Sequence, residues 1–175
     1  MEANKTMKTM NLIAMALTSL SALGTAHAGS SSANLNVSAS VAANCTISTA
    51  ALAFSYDPVV ANAASGADAL ATGGVTVQCT KGDTVSVALN FGQNVSGTTQ
   101  RRVKSGSSYL SYNLFTDSTY ATIWADGTSS TSALSYGPFA SSTTAITTSV
   151  FGKMPKGQDA PVGAYSDTVL ATVNF

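Results

Sequence analysis

Beyond residue 28 the chain shows almost no helical period. Its apolar side chains recur at every second residue in short runs, which confines it to β-structure. Leu35, Val37, Ala39 and Val41 alternate with Asn36, Ser38 and Ser40, predicting a strand with one apolar face. Val75-Thr76-Val77-Gln78-Cys79 and the alternating Val85, Val87, Leu89 and Phe91 flank Lys81-Gly82-Asp83, so residues 75–91 read as a β-hairpin. Tyr109 to Phe115 places Leu110, Tyr112 and Leu114 on one face and Tyr109, Ser111, Asn113 and Phe115 on the other; apolar residues on both faces suit a central strand. Further short strands are expected at Ile123–Ala125, Leu134–Phe139, Ile146–Phe151 and Tyr165–Phe175, the last with Val169, Ala171, Val173 and Phe175 on one face. Asn62–Thr72, mostly Ala, Gly and Ser, reads as a surface loop, and Ser141–Ser149 as a loop or a polar edge strand. About seven short strands at this spacing predict an all-β immunoglobulin-like sandwich. A closed barrel satisfies the same pattern, because alternation does not determine which strands pair.

The first residues address the compartment. Lys5 and Lys8 precede an apolar run from Leu12 to Leu23, and Ala26-His27-Ala28 supplies the small residues that a signal peptidase reads. Residues 1–28 are therefore expected to be a secretory signal peptide; the run falls well short of the roughly 20 residues that cross a bilayer. The mature chain, Gly29 to Phe175, keeps six basic residues against seven aspartates and no glutamate. Such weak net charge argues against a nucleic-acid or anionic-membrane partner, and no later apolar run suits stable membrane insertion. Cleavage removes His27, the only histidine, and with it any Ser-His-Asp triad or His-ligated zinc. No catalytic residue, metal or cofactor is expected. Cys45 and Cys79 are the only cysteines, and an even pair in an exported chain reads as one disulfide.

Other candidates have plain readings. Arg101-Arg102-Val103-Lys104 is the one charge run; a phosphate or polysaccharide contact is its functional reading, but a solvated strand end followed by the Ser105-Gly106 turn is preferred. Asp57, Asp117 and Asp126 lack calcium-loop spacing and fit turn initiation. Trp124 beside Tyr120 is either a sugar-stacking platform or part of a sandwich core, and the core reading is preferred. The chain ends are more telling. A small, polar lead, Gly29 to Ala33, precedes the alternating Leu35–Val41 segment, while the last expected strand, running to Phe175, would leave an open edge. An open edge accepts an extended alternating segment from another molecule, although both segments pairing within one domain fits these residues equally well.

Several stretches together resemble a known family. Asn44-Cys45-Thr46-Ile47, Val75 through Cys79, the basic-to-aromatic run Arg101–Asp117, and above all Gly163-Ala164-Tyr165-Ser166-Asp167-Thr168-Val169 through Val173-Asn174-Phe175 are similar to the spore coat protein U domain, which also contains the Csu-type major pilins of archaic chaperone–usher pili. The resemblance spans essentially the whole mature chain. It implies an incomplete immunoglobulin-like β-sandwich that lacks its last strand and is completed by a donor strand. Residues 29–41 would be the donor segment, with Leu35, Val37, Ala39 and Val41 as its inserted side chains. Residues 42–175 would be the domain, with Val169, Ala171, Val173 and Phe175 at its acceptor edge. The implied partners are a periplasmic chaperone, an outer-membrane usher and identical or related subunits in a homopolymer. The implied destination is the cell surface, as a pilus serving adhesion and biofilm formation or as a spore coat. A carbohydrate-binding adhesin domain built on Trp124 and Tyr120 is the rival reading.

Overall fold

The computed structural model describes residues 28–175, and every regular element among them is a β-strand. The expected signal peptide falls almost wholly outside the described residues. The chain divides into two units, one ending at Ala39 and the other spanning Ser40–Phe175. In the first, residues 28–39 carry no regular structure, and Leu35 and Val37 are 87% and 85% exposed. The strand expected at Leu35–Val41 is not formed: alternation prepares a segment for a sheet, but only a hydrogen-bonded neighbour makes it one.

The second unit holds eight strands: β1 (Cys45–Ala50), β2 (Ala69–Cys79), β3 (Val85–Leu89), β4 (Arg101–Ser105), β5 (Ser108–Phe115), β6 (Leu134–Tyr136), β7 (Ile146–Met154) and β8 (Ala171–Asn174). They form a five-stranded sheet in the order β1-β2-β7-β5-β4 and a three-stranded sheet in the order β6-β3-β8. Every ladder is antiparallel. The inward faces meet in one core, with Val75, Val77, Val87, Leu110, Tyr112 and Trp124 buried and half-buried Leu52, Phe54 and Val173 against them. Trp124 has no exposed surface, and its Nε1 donates to the Val87 carbonyl at 2.9 Å. It is a core residue, and the platform reading fails for want of a free ring face.

Cys45 and Cys79 form the expected disulfide, at the first register pair of the β1–β2 ladder. On the chain-entropy model, closing a loop of this length stabilises the fold by roughly 4 kcal/mol.

Several expectations needed correction. Residues 75–91 are not a hairpin: β2 and β3 lie in different sheets, and the Lys81–Asp83 turn carries the chain between them. Gly82 has a φ of 93° there, and its N–H donates to the Phe139 carbonyl at 2.9 Å. Alternation on both flanks is shared by hairpins and sheet-crossing connections, so periodicity could not separate them. β2 begins at Ala69, inside the stretch read as loop, because Leu70 to Thr72 pair with β7 despite their small neighbours. β7 begins inside the Ser/Thr-rich stretch and lies between β2 and β5, not at an edge. Ile123–Ala125 makes only isolated bridges, and the last strand is Ala171–Asn174 within the longer run expected.

Arg101 is the sharpest correction. The charge run predicts a solvated side chain, yet Arg101 is fully buried. Its Nε and Nη2 donate to the Asn90 carbonyl at 2.9 and 2.7 Å, and Nη2 also reaches the Leu89 and Trp124 carbonyls at 3.1 and 2.8 Å. The guanidinium lies 5.1 Å from the Phe91 ring centroid. Burial holds its pKa down at about 10, with the charge of Asp167 among the opposing influences. One side chain thus ties β4 to the end of β3 and to the Trp124 loop.

Candidate functional site

Past Ala50 the chain leaves the β2 ladder but keeps its alternation: Leu52, Phe54 and Tyr56 turn inward while Ala51, Ala53 and Ser55 are exposed. This stretch crosses the inner face of the five-stranded sheet. A Cβ on Gly152 of β7 would stand 2.7 Å from the Phe54 ring and 2.8 Å from Leu52, so a larger residue there would push these side chains from their places. The Phe54 ring then meets Tyr112 of β5 at 5.8 Å between centroids, and the Tyr56 hydroxyl donates to the Pro155 carbonyl at 3.1 Å.

A second stretch runs on the other side. Tyr165, Asp167, Val169, Ala171 and Val173 are half-buried, and Ser166, Thr168, Leu170 and Thr172 between them are exposed. Lys104 of β4 and Ser166 exchange both backbone hydrogen bonds, at 2.9 and 3.0 Å. Farther on, Leu170 bonds both the backbone and the side chain of Asn90, and β8 pairs with β3. The segment is therefore stitched first to the large sheet and then to the small one.

Between these two alternating stretches lies a groove of about 960 Å³. Its floor is apolar: Val75, Leu89, Val103, Leu110, Leu114, Val150 and Met154. β1 and β8 are edge strands of different sheets, and no ladder joins them. Each wall alternates inward and outward as a strand does, yet the space between them holds no strand among the described residues. That arrangement can seat one extended segment, bonding its backbone at the β8 edge and its alternate side chains on the floor.

One polar cluster interrupts the groove. The Tyr112 hydroxyl donates to Asp167 Oδ2 at 2.8 Å, and Asp167 Oδ1 accepts from Gln93 N at 2.9 Å and Asn94 Nδ2 at 3.1 Å. Burial, followed by the bond to the Asp167 carboxylate, pushes the Tyr112 hydroxyl pKa above its usual value of 10.0. Gly92, at φ 76°, is obligatory beside it, since a Cβ would overlap the Asp167 carboxylate. The cluster anchors the second wall to the 92–94 loop.

Of the residues expected at the acceptor edge, Val169 and Ala171 line the groove. Val173 pairs with Val87 and packs on the core beyond the groove, and Phe175 follows the strand, 61% exposed. Leu35, Val37, Ala39 and Val41 are all exposed and outside any strand. Sequence reasoning passed over the other wall, although Leu52, Phe54 and Tyr56 carry the period-two signal in full. It passed over the floor because β2, β3, β4, β5 and β7 supply it from distant parts of the chain. Among the described residues no group of His, Cys, Asp or Glu is arranged to hold a metal, and no helix is long and apolar enough to cross a membrane.

An antiparallel two-sheet sandwich with a strand-shaped opening is an immunoglobulin-like architecture that has room for one more strand. The Spore Coat Protein U domain model matches residues 31–172. Protein U of Myxococcus xanthus is 39% identical over 180 residues, covering 96% of this chain and 98% of its own. The chain belongs to the Spore Coat Protein U domain family. Among solved structures it is similar to a chain of the CsuC-CsuE chaperone-tip adhesion subunit pre-assembly complex from archaic chaperone-usher Csu pili of Acinetobacter baumannii, with a TM-score of 0.55 and 22% identity over 77% of this chain. The likeness is one of fold, and this chain spans 40% of the length of that one.

Proposed function

We propose that this chain is a non-enzymatic structural subunit of a surface assembly and that it polymerises by donor-strand exchange. The observation that carries the reading is the open groove between two strand-like walls, in a chain that also displays an exposed alternating segment. In one chain Leu35, Val37, Ala39 and Val41 enter the groove of another, where Val169 and Ala171 form part of the wall. Because the same groove repeats on every copy, the contact is heterologous and builds an open filament, not a closed dimer.

An unfilled apolar groove is a hazard on export, so a periplasmic chaperone would cover it and an outer-membrane usher would exchange that cover for the next subunit. The family membership and the fold shared with a chain of a chaperone–subunit complex support this route. The product would be an archaic chaperone–usher pilus at the cell surface, serving adhesion and biofilm formation. Family membership also supports a second destination, a spore coat built from the same subunit contact.

The test is deletion of Gly29 to Val41 in cells that make the assembly. The shortened subunit should still be captured by chaperone and should fail to form SDS-resistant ladders. Ladders of unchanged length would overturn strand exchange in favour of ordinary surface association.

A further inference from the structure

We propose that the outer face of the five-stranded sheet is a docking surface for an acidic polysaccharide. The buried residues of each strand show which side chains face away from the core. Leu110, Tyr112 and Leu114 point inward on β5, and Val150, Gly152 and Met154 on β7, so Tyr109, Ser111 and Lys153 point outward. On β4, Arg101 is buried and Val103 reaches the groove floor, which leaves Arg102 and Lys104 on the outer face.

Three of the six cations of the mature chain therefore share one sheet face. No strand of that sheet contains an aspartate or glutamate. Asp68 and Asp117 lie just beyond strand ends, and each is already engaged: Asp68 accepts the Lys156 N–H at 3.0 Å, and Asp117 the Thr119 N–H at 2.9 Å. The small net charge of the chain conceals this segregation, because the aspartates lie in loops and turns.

The cations are also held in place. The Arg102 guanidinium stacks 4.1 Å from the Tyr109 ring centroid, and its Nε donates to the Asn94 carbonyl at 3.0 Å. Lys104 lies 5.6 Å from the same ring, and Lys153 lies 5.4 Å from both the Phe115 and Tyr120 rings. Aromatic contacts of this kind hold a cation against the sheet and reduce the entropy lost when it meets an anion.

The rest of the face is hydroxyl-rich: Thr46, Ser48, Thr72, Thr76, Thr147 and Ser149 point the same way, with the Thr76 and Thr147 hydroxyls 2.8 Å apart. Fixed cations on a face lined with hydroxyls fit a carboxylate-bearing sugar polymer, whose charges are spaced along a chain of hydroxyls. A nucleic acid, with its denser charge, would call for many more cations. Each face binds weakly, but an assembly repeats it in every subunit, and multivalency converts weak sites into firm attachment. That amplification rests on the polymer reading above, whereas the face itself does not.

The test uses the full mature chain immobilised at high density, so it is independent of polymerisation. Alginate, a polyuronate, should bind at low salt and be released at about 1 M salt, where the screening length is about 3 Å. Dextran, a neutral polymer, should not bind. The triple variant Arg102→Gln, Lys104→Gln, Lys153→Gln should lose binding, and Lys81→Gln with Lys156→Gln, off the face, should keep it. Should the triple variant fold poorly, Lys104→Glu alone, at an exposed position, should weaken binding on the order of threefold. The proposal is overturned by absence of alginate binding, by unchanged binding in a folded triple variant, or by equal loss in the off-face double variant. A DNA duplex bound more tightly than alginate would reassign the face to nucleic acid and overturn it as well.

Discussion

The two sheets of the sandwich are built to different degrees of completion. In the five-stranded sheet, β2 and β7 pair over nine residues and β7 is hydrogen-bonded on both sides. In the three-stranded sheet, β3 pairs with β6 over three residues and with β8 over four. The large sheet also holds both ends of the disulfide, while the small one ends at β8, beside the groove. The difference teaches where this domain keeps its own stability and where, on the strand-exchange proposal, it would receive more. Long ladders and a covalent closure make a scaffold, and the short sheet is what another strand would extend.

The largest expected effect comes from supplying that strand in cis. A copy of Leu35–Val41 appended after Phe175, through a flexible linker long enough to turn back along β8, should raise the melting temperature. Each apolar side chain that becomes fully buried contributes roughly 1.5–3 kcal/mol, so a gain of more than about 10 °C is expected in thermal unfolding. A variant that melts with the parent would show that the small sheet is already complete.

A smaller effect separates two residues of the last run. Val173→Asp places a carboxylate on the core beside Val87 and should cost about 2–4 kcal/mol in denaturant unfolding. Phe175→Asp alters an exposed residue past the strand and should stay within about 0.5 kcal/mol. Equal losses would mean that β8 runs to the last residue with a buried face throughout.

The smallest effect tests the polar anchor of the groove wall. Tyr112→Phe removes the donor to Asp167 and should cost about 1–2 kcal/mol at neutral pH. Its pH profile is the sharper measurement. The folded Tyr112 hydroxyl titrates above 10.0, so above pH 10 the folded state binds more protons than the unfolded one and stability falls as pH rises. Arg101 acts oppositely, because its folded pKa of about 10 lies below the ordinary 12.5 and the unfolded state holds more protons in between. Tyr112→Phe leaves Arg101 in place. The difference between variant and parent should therefore shrink from pH 9 to pH 11, and a constant difference would remove Tyr112 from the alkaline response.

The β class, the even cysteine pair and the core role of Trp124 were legible because each is a local pattern or a property of composition; β5, expected to be central, lies inside its sheet but beside the edge strand β4, and β7 takes the middle. Strand pairing was not legible. Val75–Phe91 looks like a hairpin because its flanks alternate, and nothing in those residues states that the turn crosses between sheets. Arg101 reads as solvated together with Arg102, since a charge run gives no sign that strand alternation will turn one guanidinium into the core. The groove was half-legible: Val169 and Ala171 follow from the last alternating run, whereas the floor exists only after β2, β3, β4, β5 and β7 have been brought together.

The position of the disulfide has a mechanical consequence. Cys45 opens β1 and is bonded to Cys79 at the end of β2. Tension on the chain ahead of Cys45 passes through the covalent bridge into β2, and so into the centre of the large sheet, without first stripping β1 residue by residue. A hydrogen-bonded edge strand pulled from its end would unzip one bond at a time. Here that end is riveted, so a load entering through the N-terminal segment is spread over the β2–β7 ladder, the longest among the described residues.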